Sequence, residues 1–350
     1  MATESSTISM ASGALIDVHA HALPPAYLAA IEAAGGDPSG YPSPIWSPEA
    51  ALNSLSLSGA SLGIFSVSAP GVSIAGTGQT ARDLARTLNT QLACYATSAE
   101  YSSRLSFFGV LPDWKDVDGT LEELDFLFSH QKLCKGVTIF TSYGPYLPSN
   151  PLFKPIWDKL NHYRALIFLH PTTLDVTPRF IASSLPQPVV DYPIATTRAA
   201  VDLIFSGIMR DYPDIDIILS HAGGTLPYLA SRIESLLLNP ALTNLTHISL
   251  EDVKAGFAKF YFDTALSTSA AQLNSLLDFT SPSRVLFGTD FPYAGKEAIS
   301  AVLDKYHTFV ATNPRGSALR PEVLRQNTLG ILARHEHRDS QEKTEVDQLE

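Results

Sequence analysis

The chain has 350 residues, 45% of them apolar and only 17% charged, which supports a large hydrophobic core and excludes an intrinsically disordered chain. Lys and Arg number 24 against 35 Asp and Glu, a net charge of −11, and no Lys/Arg-rich run exists. A nucleic-acid partner is therefore disfavoured, although one metal ion and an arginine or two suffice to reverse the sign inside a pocket.

Residues 1–12, MATESSTISMAS, are polar and lack Lys or Arg, so they read as a disordered tail, not as a secretory signal or a transit peptide. No apolar run approaches the roughly 18–20 residues of a membrane span, and a cytoplasmic protein is expected. The first strand-like run covers 15–19 and is followed by a long, Pro-rich stretch, 22–60, expected to form a loop insertion over the barrel mouth. Further runs rich in Val, Ile, Leu and Phe cover 63–68, 105–111, 136–140, 165–170, 215–221, 260–264 and 284–289. Their hydrophobicity is continuous, without alternation, as in parallel strands covered on both faces.

Helical spacing of apolar residues marks 79–99, 119–130, 151–163, 194–210, 225–238, 269–278 and 296–311. Eight strand-like runs alternating with helices predict an α/β fold, a single (β/α)8 TIM-type barrel over 13–334. The remainder, 335–350, is a charged tail in which His335 and His337 read as solvated. Cys94 and Cys134 are too few for a disulfide framework and read as two buried thiols.

Barrel active sites are built at the C-terminal ends of the strands, and four of these ends carry the residues of interest, four histidines on three of them and an aspartate on the fourth. The first run leads into Asp17-Val18-His19-Ala20-His21, the fifth ends in Phe168-Leu169-His170-Pro171, the sixth in Leu219-Ser220-His221-Ala222-Gly223-Gly224, and the eighth in Phe287-Gly288-Thr289-Asp290-Phe291-Pro292. Side chains two apart on a strand share a face, so His19 and His21 can grip one ion. With His170 and Asp290 they make a donor set suited to zinc and similar divalent metals, leaving His221 as an unligated acid or base or as a fifth ligand. A single strand-end His is more often a hydrogen-bonded structural residue; the coincidence of all of them on one face overturns that reading. His130, His162, His247 and His307 fall in helices or loops and are expected at the surface.

The segments DVHAH, FLHP, LSHAGG and FGTDFP together resemble the metal-dependent amidohydrolase superfamily. Within it, the chain is similar to the branch of 2-amino-3-carboxymuconate-6-semialdehyde decarboxylase and related aromatic-acid decarboxylases. Ser220 to Tyr228 followed by Arg232, and Phe262-Asp263-Thr264-Ala265, support that branch. The resemblance implies a mononuclear site with His19, His21, His170 and Asp290 as ligands of one divalent ion, Zn2+ or else Mn2+, and no organic cofactor. A second metal is not expected, because the carbamylated lysine of binuclear members belongs at the end of the fourth run, whereas Lys135 sits at its start. The His-x-His form is closer to the aminocarboxymuconate enzyme and to fungal decarboxylases, including those acting on 6-methylsalicylate.

The activity implied is non-oxidative decarboxylation of an ortho-hydroxy aromatic acid such as 6-methylsalicylate, to m-cresol. His221 or Asp290 would supply the proton, and hydrolysis of a lactone or amide is the alternative on the same ligands. The loop 36–46 contains no Lys or Arg, which favours a monocarboxylic acid over a dicarboxylate. Trp46, Phe291 or Tyr293 would line the pocket. The resemblance further implies that Arg232 reaches a neighbouring subunit's site, in a homodimer or higher homo-oligomer.

Overall fold

The computed structural model describes residues 14–101, 103–174 and 178–336. The expected N-terminal tail, 1–12, and the tail beyond Glu336, with His337, lie outside the described residues. In chain order the elements begin with strand β1 (Leu15–Ala22), helices α1 (Pro25–Ala33) and α2 (Pro48–Ser58), β2 (Ala60–Val67), α3 (Gln79–Thr97), β3 (Leu105–Gly109), α4 (Val117–His130), β4 (Cys134–Phe140), α5 (Lys154–His162) and β5 (Leu166–His170). A two-stranded hairpin, β6 (Phe180–Ile181) and β7 (Leu185–Pro186), precedes α6 (Asp191–Phe205), α7 (Ile208–Asp211), β8 (Asp216–Leu219), α8 (Leu226–Leu236), α9 (Pro240–Thr246) and α10 (Leu250–Phe257). The chain continues through β9 (Tyr261–Phe262), α11 (Ala270–Phe279), α12 (Lys296–Thr312) and α13 (Pro321–Glu336).

Seven strands form one parallel sheet in the order β1-β2-β3-β4-β5-β8-β9. The eighth run closes the ring through single bridges, Phe262 to Val285 on one edge and Asp17 to Phe287 and Ala20 to Phe291 on the other. The expected α/β barrel is borne out. Two packed layers follow from the pleat. Ile16, Val18, Ile64, Phe108, Phe168, Ile218 and Leu286 meet inside the barrel, while Phe65, Phe107, Val137, Ile167 and Leu219 belong to the larger core shared with the helices. Each such fully buried side chain contributes about 1.5–3 kcal/mol. Ile331 and Leu332 of α13 join the inner cluster and plug the bottom of the barrel.

Four expectations need correction. The 22–60 stretch is no plain loop: it holds α1 and α2, with irregular chain between them, because Ser47 caps α2 by accepting the Ala50 N–H and Pro48 suits its first turn. The helix expected over 194–210 breaks at Gly207, whose φ of +87° ends α6 and starts α7. Cys94 is exposed, since it lies on the outer face of α3; only Cys134 is buried. His335 is not solvated but buried in α13, its Nδ1 2.5 Å from the Arg164 carbonyl and its Nε2 3.0 Å from Asp216 Oδ2. A charged composition concealed a helix whose partners lie across the barrel floor. His130, His162, His247 and His307 are exposed, as expected.

Candidate metal centre and active site

An irregularity in β1 builds the site. Asp17 pairs with Gly63 and Ala20 with Phe65, so β1 carries one residue more than β2 over this stretch. This bulge switches the parity of the strand. Ile16 and Val18 point into the barrel below it, and His19 and His21 do so above it, while Ala20 and Ala22 turn to the outer core.

His19, His21, His170 and Asp290 are all buried, and one ligand atom from each lies within 4.8 Å of all the others. His19 Nδ1 is held 2.8 Å from Asp263 Oδ2, His21 Nδ1 3.0 Å from Ser66 Oγ and His170 Nδ1 2.8 Å from the Pro171 carbonyl. Fixing Nδ1 in this way leaves each Nε2 free for a ligand. Nε2 of His19 and of His21 are buried and lack any hydrogen-bond partner, although Asp290 Oδ1 is 3.4 and 3.2 Å away. Orphaned buried nitrogens are rare in folded proteins, and here they converge with a carboxylate. The donor set fits a single divalent cation.

Electrostatics agree. Burial opposes a charge on His19, but the Asp263 and Asp290 carboxylates outweigh it and push the imidazole up to about 10. A cation bound in place of that proton satisfies the same carboxylates. Burial holds His21 below the usual range and His170 well below it, leaving both neutral, as ligands must be. Burial works against ionised Asp290, yet His19, His21 and His221 hold it well below the usual carboxylate range.

His221 follows β8 on a turn where His221 and Ala222 have φ of +56° and +55°; Asp290 has φ of +67°. Left-handed backbone at non-glycine residues costs about 1–3 kcal/mol each and clusters at functional sites. His221 Nε2 lies 3.7 Å from Asp290 Oδ2, and its main-chain N–H donates to Asp263 Oδ1 at 3.1 Å. Asp263 thus sets His19 with one oxygen and the His221 turn with the other, which also accepts from the Ala265 N–H at 2.9 Å. In the sequence Asp263 stands out only as a carboxylate at a strand end, within Phe262-Asp263-Thr264-Ala265; its two histidine partners emerge from the fold. Replacing it, as Asp263→Asn, is expected to weaken metal affinity about 10- to 100-fold, measured by competition with a calibrated chelator. Unchanged affinity would leave Asp263 a purely structural residue.

Above the metal centre opens a cavity of about 420 Å³ lined by His21, His170, His221 and Asp290 and, from outside the strands, by Asp37, Tyr41, Tyr192 and Tyr293, among others. Of the residues expected to touch substrate, only Tyr293 lines it, its ring 5.4 Å from His21. Trp46 packs instead beside Tyr95 of α3 at 5.6 Å, and Phe291 bridges to Ala20 and packs on the core. Arg232 is exposed on α8, outside this chain's cavity. Lys135 pairs with Glu336 at 2.8 Å, away from the cavity, and among the described residues the metal-ligand cluster is His19, His21, His170 and Asp290.

The amidohydrolase family model matches residues 16–328. The chain belongs to the amidohydrolase family. This amidohydrolase is 41% identical over 289 residues to a 6-methylsalicylic acid decarboxylase of Penicillium expansum, covering 82% of the chain and 87% of the relative. It is 38% identical over 325 residues to a 6-methylsalicylic acid decarboxylase of Aspergillus aculeatus, 91% and 96% of the two chains. Among solved structures, the apo form of IDCase from Metarhizium anisopliae superposes with a TM-score of 0.76 at 25% identity, covering 93% of this amidohydrolase and 99% of that chain.

Proposed function

We propose that this amidohydrolase is a metal-dependent carboxy-lyase that removes carbon dioxide from an ortho-hydroxy aromatic acid, 6-methylsalicylate giving m-cresol. The observation that carries the reading is the buried three-histidine, one-aspartate cluster opening into a tyrosine-walled cavity; the names of the relatives give the reaction class. His19, His21, His170 and Asp290 would hold the ion, zinc by the chemistry of the donor set, with manganese the other candidate. Bound there, a divalent cation supplies positive charge that attracts the carboxylate and stabilises developing negative charge.

The residues of the chain do the rest. Tyr192 and Tyr293 confine the ring, and the Asp290–His221 pair faces the carbon that bears the carboxylate. Transfer of one proton from this pair forms the new C–H bond; the C–C bond then breaks, its electron pair restores the aromatic ring, and carbon dioxide leaves.

The test is incubation of metal-analysed protein with ortho-hydroxybenzoates, including 6-methylsalicylate, and with lactones. Release of carbon dioxide that a chelator abolishes supports the proposal; addition of water to a lactone with no decarboxylation sinks it. Arg232 takes part only if a neighbouring copy of the chain presents it, which makes the active form a homodimer or higher homo-oligomer. Hydrogen bonds to charged groups are worth about 1.5–3 kcal/mol, so Arg232→Ala is expected to slow turnover about 10- to 100-fold with metal content intact. An unchanged rate would reduce Arg232 to a surface residue.

A further inference from the structure

The chain between α1 and α2 brings a carboxylate to the cavity wall. Asp37 is only 7% exposed and lines the cavity. Its Oδ1 accepts the Ser39 N–H at 2.7 Å, and its main-chain carbonyl accepts from Arg179 Nη2 at 2.6 Å. Beside it the Phe180 ring of β6 fills the space over Gly40, 2.6 Å from where a Cβ would stand. Asp37 is held at the cavity wall by these contacts to its carboxylate and main chain.

The same cavity reaches the metal centre. The Tyr293 ring lies 5.4 Å from His21 on one side and 5.5 Å from Tyr41 on the other. Tyr192 and Tyr293 line the same cavity as Asp37 and Asp290. None of the residues lining the cavity is Lys or Arg. Burial pushes the Asp37 carboxyl above its ordinary range, and Ser39 and the Arg179 guanidinium draw it only partly back. A ring acid whose carboxylate enters among His21, His170 and Asp290 shares the cavity with this second carboxyl group.

We propose that Asp37 is a specificity-determining residue: it rejects ring acids bearing a second carboxylate on the far edge and restricts the cavity to monocarboxylic acids. Juxtaposed like charges in a desolvated site oppose binding strongly. The proposal rests on the decarboxylase reading above and names the substrate class within it.

Calorimetric titration of the metal-loaded protein with salicylate, 4-hydroxyisophthalate and 2-hydroxyterephthalate tests it. Wild type is expected to bind salicylate at least about tenfold more tightly than either dicarboxylate. Asp37→Asn keeps the oxygen that accepts from Ser39 and removes the charge. It is expected to gain at least about tenfold for one dicarboxylate or both, with salicylate within about threefold of wild type. Equal binding of all three acids by wild type overturns the proposal whether or not the variant folds. So does a variant that shows no gain, or one that loses salicylate in parallel. If wild type binds none of the acids, the decarboxylase reading itself fails, which the wild-type titration separates from a failure confined to Asp37.

Discussion

His170→Ala is expected to emerge from purification without its metal ion and to retain less than about a thousandth of wild-type decarboxylation. His170 is buried, its Nδ1 is committed to the Pro171 carbonyl, and its Nε2 is the contribution of β5 to the ligand set. Removing it leaves ligands from β1 and from the closing run alone. A cation in such a site supplies several kcal/mol of charge stabilisation, and each 1.36 kcal/mol is tenfold in rate, so three orders of magnitude is a modest expectation. The fold should survive, because the imidazole sits at the open end of the barrel and not in the inner cluster. Elemental analysis, carbon dioxide release and circular dichroism on one preparation check this. Full turnover in a metal-free His170→Ala protein would end the model.

The second large effect is on stability. Gly224→Ala is expected to destabilise the protein by roughly 3–5 kcal/mol and to lower Tm by roughly 4–7 °C. Gly224 has φ of +66°, and a Cβ built on it would stand 2.0 Å from the Pro193 carbonyl oxygen and 3.0 Å from Thr197 Oγ1. The left-handed backbone alone costs an alanine about 1–2 kcal/mol. The clash is with main chain in the first turn of α6, which cannot rotate aside as a side chain would. Relief must move the turn that carries His221, so activity should fall with stability. Gly295→Ala is the control: its φ is −69° and a Cβ there meets nothing within 4 Å, so a change below about 1 kcal/mol is expected. Similar losses in calorimetric Tm for both variants would discount the clash.

The ligand set was legible in the sequence because every member sits where a buried strand meets the catalytic face, a position that hydrophobic runs mark well. The means of aiming it were not. Strict alternation cannot place Ile16, Val18, His19 and His21 on the same side of one strand; the bulge can, and its extra residue leaves no trace in composition. Asp263 escaped a role because its partners lie 244 residues away at His19 and 42 away at His221. Trp46 and Phe291 were expected in the cavity for their aromatic character, but which way a loop aromatic faces depends on what packs behind it, here Tyr95 and the outer core. Asp37, Tyr41 and Tyr192 line the cavity from segments whose approach is decided only when the barrel closes.

That closure imposes an order on the life of a newly made chain. Asp17 and Thr289, joined by a 2.6 Å hydrogen bond, are 272 residues apart, and the floor of the barrel waits for Ile331 and Leu332 of the last helix. Contacts of such long range form late and slowly. While the ribosome is still at work, His19 and His21 therefore sit on an unpaired strand edge, without Asp263 or Asp290 to orient them. The ion can be captured in its final geometry only after synthesis is nearly complete, so loading belongs to the finished barrel, and a shortage of metal should yield folded, empty enzyme and not truncated or aggregated chains.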